Sequence, residues 1–170
     1  MLTITKSSKR KWHPTVGRAT LLSPEGDILW QDPDWIENTL ADEGEQSVLN
    51  VYFREQAHPT KYGALLTAAP SETTTNATMT ELSGGSYARQ QYLAADWAAP
   101  VLNSGDYQTT ASAKTFGPAT TASWTGITHF ALVTSASGTT GSFILYLPLS
   151  ATTTVGVGQS LIYTLATKAQ

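Results

Sequence analysis

The sequence predicts a mainly β protein: a β-sandwich or jelly-roll-like domain with one N-terminal amphipathic helix and an extended N-terminal arm. Three observations predict it. Beyond Pro59, short runs rich in Val, Ile, Thr, Tyr and Phe recur between Gly, Ser, Asn and Asp turn signals. One stretch, starting at Asp42, spaces its apolar residues helically. Ahead of it, residues 1–36 keep no helical period and carry Pro14, Pro24 and Pro33.

Residues 1–41 are expected as the arm, with one hairpin turned at Ser23-Pro24-Glu25-Gly26-Asp27. Trp12, Val16, Leu21, Leu22, Ile28, Leu29, Trp30, Trp35 and Ile36 are too scattered for a core of their own, so they need a surface to pack on. Residues 42–58 are expected to hold the helix, running to about Gln56 and stopped by His58-Pro59. Asp42 and Glu45 resemble a capping box, the acids suit the positive end of the helix dipole, and Val48, Leu49, Val51, Tyr52 and Phe53 form an apolar stripe that must be covered. Residues 59–170 are expected as the sandwich. Its candidate strands are 62–67, 87–93, 109–116, 128–134, 142–147 and 160–165, parted by Ser83-Gly84-Gly85-Ser86, Asn103-Ser104-Gly105-Asp106, Ser137-Gly138 and Gly156-Val157-Gly158.

A length of 170 residues suits one domain with an extension. With no cysteine, disulfides, thiolate chemistry and Cys-ligated metal are excluded. Met1-Leu2-Thr3-Ile4-Thr5-Lys6 leads into basic and polar residues rather than an apolar signal core, and no stretch reaches the length of a membrane span. Charge is segregated along the chain. Lys6, Lys9, Arg10, Lys11 and Arg18 come first, then Glu25, Asp27, Asp32, Asp34, Glu37, Asp42, Glu43 and Glu45, and charge is sparse after His58. A surface so rich in Thr, Ser, Ala and Gly suits a stable β protein or one covered by neighbours in an assembly.

No set of residues assembles a chemistry. His13, His58 and His129 are isolated, with no metal-binding spacing, and the acids lack the spacing of a calcium loop. No nucleophile elbow, phosphate loop or dinucleotide turn is present, so no enzyme, metal or cofactor is expected. Asn76-Ala77-Thr78 is a chance glycosylation match in a Thr-rich chain. The candidate partner-binding residues are Lys6, Lys9, Arg10, Lys11, Trp12, Arg18, Leu21 and Leu22, because apolar anchors stand beside the charges. That combination favours docking on a protein over binding of nucleic acid phosphate.

Several pieces carry a family likeness: Gly44-Glu45-Gln46 with 48–54, Tyr62-Gly63-Ala64-Leu65-Leu66-Thr67, Glu81-Leu82-Ser83-Gly84-Gly85-Ser86-Tyr87-Ala88-Arg89-Gln90, Phe116-Gly117-Pro118-Ala119 and Trp124 through Leu132. In these, over about two-thirds of its length, the chain resembles a family of small tailed-phage virion proteins labelled tail-fibre or head-decoration proteins. It departs from them at Ala68-Ala69-Pro70, where members commonly carry an acid before the proline, a difference confined to a loop. The resemblance implies a non-enzymatic virion subunit, made in the host bacterial cytoplasm.

The leading expectation is a capsid decoration or cement protein that binds the major capsid protein through arm and helix. A tail, neck or fibre-base subunit is the alternative. A third possibility, from another class, is a carbohydrate-binding module using Trp97, Trp124, Tyr92 and Tyr107 as stacking platforms. Sheet edges with few Lys or Pro residues also predict self-association in the particle.

Overall fold

The computed structural model describes residues 15–34, 36–37, 39–103 and 106–168. Among them the chain order is β1 (Thr15–Leu22), β2 (Ile28–Gln31), β3 (Ile36–Glu37), β4 (Thr39–Leu40), α1 (Asp42–Phe53), β5 (Lys61–Leu66), β6 (Gln90–Tyr92), a 3-10 turn (Ala94–Asp96), β7 (Val101–Asn103), β8 (Asp106–Thr110), β9 (Lys114–Phe116), β10 (Trp124–Val133), β11 (Phe143–Val155) and β12 (Ser160–Lys168). One sheet runs β2-β1-β12-β8-β7, with β3 also on β1 and β9 also on β12. The other runs β4-β11-β10-β5-β6. The fold is mainly β and two-sheeted, as the turn spacing predicts.

Period-two alternation builds the core between the sheets. Leu161, Tyr163 and Leu165 of β12 face Phe130 and Leu132 of β10 and Leu145, Leu147 and Leu149 of β11. Phe130 stacks flat on Tyr163, ring centres 3.9 Å apart, joining the two sheets. The alternate residues Ala131 and Val133 point the other way, into a smaller cluster with Ala41, Leu66 and Phe143 on the outer face of the second sheet.

From Thr15 onward the expected arm is instead a strand of the sandwich. β1 pairs with β12 along its whole length, from Thr15↔Thr167 to Leu22↔Ser160, and the Ser23 to Asp27 turn joins it to β2 as expected. The sequence hides this because two inward positions of β1 are small. A Cβ on Gly17 would lie 2.1 Å from the Tyr163 hydroxyl, and Ala19 is fully buried. Residues 1–14 of the expected arm lie outside the described residues.

The helix begins where expected but differs at both ends. Ala41 is its N-cap and no side chain caps it. Glu43 instead reaches across to accept the Phe143 N–H at 2.6 Å, anchoring the first turn to β11. The helix stops at Phe53, short of the expected Gln56. Arg54 and Gln56 N–H both donate to Asn50 O, and Glu55 adopts a left-handed φ of 54°.

Two strand expectations also shift, and one strand is unexpected. The 87–93 strand is confined to β6, since Gly84, Gly85 and Ser86 all have positive φ and turn Tyr87 and Arg89 inward. The 109–116 run divides into β8 and β9, and β7, which lacks a strong β pattern, pairs with β8.

Candidate functional site

The predicted partner-binding residues separate. Lys6, Lys9, Arg10, Lys11 and Trp12 lie outside the described residues. Arg18, Leu21 and Leu22 lie on β1. Arg18 Nε donates to Asp32 O at 2.9 Å, Leu21 is a core residue and Leu22 is half-buried. These three residues therefore contribute to the sandwich itself, and the apolar anchoring inferred for Leu21 is directed inward.

The buried polar groups hold the fold together. Asp32 follows β2 and is 1% exposed. Its Oδ2 accepts the Ala19 N–H and its Oδ1 accepts the Ser150 N–H, each at 2.8 Å, and Oδ1 also accepts the Ser150 hydroxyl. One carboxylate thereby joins β1 of the first sheet to β11 of the second. Glu81 is a second centre: it accepts the Tyr87 hydroxyl at 2.9 Å and pairs with Arg89. Burial, then the Glu81 charge, push the Tyr87 phenol far above its ordinary range. Gly85 stands against Trp124, whose Nε1 donates to Gly85 O at 2.8 Å. The Ser83-Gly84-Gly85-Ser86-Tyr87-Ala88-Arg89 piece is thus a folding device, with its glycines making the turn. Asn76 is buried, and its amide donates to Ser135 Oγ and to Gly138 O, so the glycosylation match is occupied structurally.

The four proposed carbohydrate platforms do not share a face. Trp124 and Tyr92 belong to the core and Trp97 packs against it, because the sandwich needs large side chains to fill its interior; Tyr107 is exposed. Trp97 does line an open groove of about 480 Å³ with His58, Lys61, Tyr92 and Leu93. Burial lowers the Lys61 pKa there. His129 is half-buried, with Nδ1 2.9 Å from Thr128 Oγ1, and burial lowers its pKa as well. Among the described residues no group of three or more His, Cys, Asp or Glu could hold a metal ion, and no helix is long and apolar enough to cross a membrane.

Several large apolar residues are exposed. Val48, Leu49, Tyr52 and Phe53 project from α1, so most of the stripe expected to need covering is not covered within the chain. Ile28 and Leu29 are exposed on β2 and Val101 and Leu102 on β7, the two ends of the first sheet's strand order. Sequence reasoning identified the helix stripe but not β7, whose three residues carry no alternation long enough to read.

The sequence model of the family described as Podophage GP4 fiber I protein gp80 matches residues 39–168. The chain belongs to this family. It is therefore a bacteriophage virion structural protein, and the Podophage GP4 fiber I match takes in α1 and β4 through β12, leaving β1, β2 and β3 ahead of it. No individual curated protein matches the chain.

Proposed function

We propose that the chain is a structural subunit of a podophage fibre, acting by binding other virion proteins and without a catalytic step. The observation that carries this reading is the fibre-family match over residues 39–168. The side-chain geometry supports it, because Asp32, Glu81 and Arg89 are engaged in bonds that hold loops and sheets together while large apolar residues face outward. Capsid decoration, with the major capsid protein as partner, shares the virion setting, but the family description favours the fibre alternative. Lys6, Lys9, Arg10, Lys11 and Trp12 are proposed to dock on a partner virion protein. A deletion that tests them must stop before Thr15, since removing β1 opens the sheet between β2 and β12.

Quantitative mass spectrometry of purified particles, with immunogold labelling, tests the placement. A copy number far below that of the major capsid protein, with label confined to the tail region, is expected. A copy number comparable to that of the shell, with label spread over the head, would overturn the proposal in favour of decoration.

A further inference from the structure

The groove of about 480 Å³ that holds Trp97 lies where β5 and β6 of the second sheet meet the 3-10 turn. Lys61 and Tyr92 are register partners on β5 and β6, so their side chains share a face, and Tyr92 belongs to the core between the sheets. Lys61 therefore stands on the inner face of its sheet, half-buried at the mouth of the sandwich. Trp97 bridges to the core residue Ala111 and packs against the core while it lines the groove. Among the described residues the Lys61 ammonium makes no ion pair, and burial lowers its pKa with no carboxylate to raise it. Asp96, on the 3-10 turn, is already taken: it meets Lys114 Nζ at 2.8 Å and accepts the Leu93 N–H at 2.6 Å. Lys114 Nζ in turn lies 5.4 Å from the centre of the Tyr92 ring. A desolvated cation kept in a cleft without a counter-ion costs stability, which marks it as a group with a ligand to meet.

We propose that this groove binds a sugar acid, with the pyranose ring laid on Trp97 and the carboxylate on Lys61. The lining selects that chemistry. One cation matches one negative charge, whereas a phosphate dianion calls for several donors converging on it. Trp97, Tyr92 and Leu93 give an apolar floor, Leu93 being 53% exposed, and a pyranose has an apolar C–H face to set on an aromatic ring. Its rim of hydroxyls then meets Thr60 and His58, both exposed beside Lys61. A fatty or aromatic acid has no such rim and leaves these polar groups unused. The groove's volume falls within the roughly 300–1,000 Å³ of small-ligand sites, which share this apolar lining with a few polar groups that fix orientation. The site is independent of the docking proposed for Lys6, Lys9, Arg10, Lys11 and Trp12, and of where in the virion the subunit sits.

Heteronuclear NMR titration of the full chain with methyl glucuronide and methyl glucoside, which differ in a carboxylate against a hydroxymethyl group, tests the site. The Trp97 indole N–H and the Lys61 ε-carbon signals are expected to shift and saturate with a Kd on the order of 1 mM, the glucoside binding about five- to tenfold more weakly. Lys61→Met should bring the glucuronide down to the level of the glucoside, and Trp97→Leu should weaken both by about tenfold. The glucuronide should also raise the Lys61 pKa, read from its ε-carbon shift, because a neighbouring carboxylate favours the charged ammonium. Lys61→Met removes a desolvated charge, so circular dichroism and thermal melting should show its fold intact even where Trp97→Leu loosens the packing. Equal affinity for the two sugars, a preference that survives Lys61→Met, or an unmoved Lys61 pKa would overturn the proposal. Acetate or benzoate binding as tightly as the glucuronide would overturn it too, since the sugar ring would then contribute nothing.

Discussion

The guanidinium of Arg89 holds both carboxylate oxygens of Glu81, with Nε 2.8 Å from Oε1 and Nη2 2.7 Å from Oε2. Its Nη1 donates to Ser135 O and Oγ, each at 2.8 Å, so one side chain fixes the β10–β11 loop to the segment after β5. Arg89→Met leaves Glu81 without its partner and should destabilise the protein by roughly 2–4 kcal/mol, the Glu81 side being partly solvated. Chemical denaturation measures this. Adding Glu81→Gln to Arg89→Met should recover part of the loss, and an additive double variant would show that the pair is not coupled.

Asp32→Ala should cost roughly 2–4 kcal/mol, because the Ala19 and Ser150 N–H groups lose their acceptor between the sheets. Asp32→Asn should cost less, since the amide keeps one acceptor oxygen. Urea melts of both variants check the order, and equal losses would contradict the two-sided role of the carboxylate.

Gly44→Ala would ordinarily stabilise a helix by up to about 1 kcal/mol. Here the added Cβ would meet Ile144 O, so the change should instead destabilise by roughly 1–3 kcal/mol as α1 lifts from β11. A raised melting temperature would contradict the close approach of helix and sheet.

Because burial lowers the His129 pKa, the unfolded chain takes up its proton more readily than the folded one. Stability should therefore fall as pH drops below about 6.5, and His129→Gln should flatten that slope. Asp96 acts at lower pH: its hydrogen bond with Lys114, then the one from Leu93 N–H, hold its carboxyl below the usual range. Its contribution is present above the ordinary carboxylate pKa and is lost as pH falls through the depressed folded value. Denaturant midpoints between pH 8 and pH 3 would separate the two effects.

Fold class was legible because the alternation of β10, β11 and β12 is long and bounded by turns. The role of β1 was not. Gly17 and Ala19 carry no hydrophobic signal, yet they are small because Tyr163 of the neighbouring strand fills the space above Gly17. The helix was legible in its spacing but not in its orientation, since only the fit of Gly44 against Ile144 O decides which side meets the sheet. For Trp124 and Tyr92 core packing is a simpler reading of the sequence than a stacking platform, and strands distant in the chain bury them. Of the candidate interaction residues, the exposed stripe on α1 could be listed in advance, whereas β7 became visible only through its pairing with β8.

The central claim, a β-sandwich subunit in the virion's fibre, is tested most directly by an asymmetric image reconstruction of the intact particle at a resolution that shows side chains. The account predicts that the two sheets and α1 fit density in a fibre, outside the shell lattice. Density for the same sandwich repeated over the capsid surface, with none in the fibres, would contradict it.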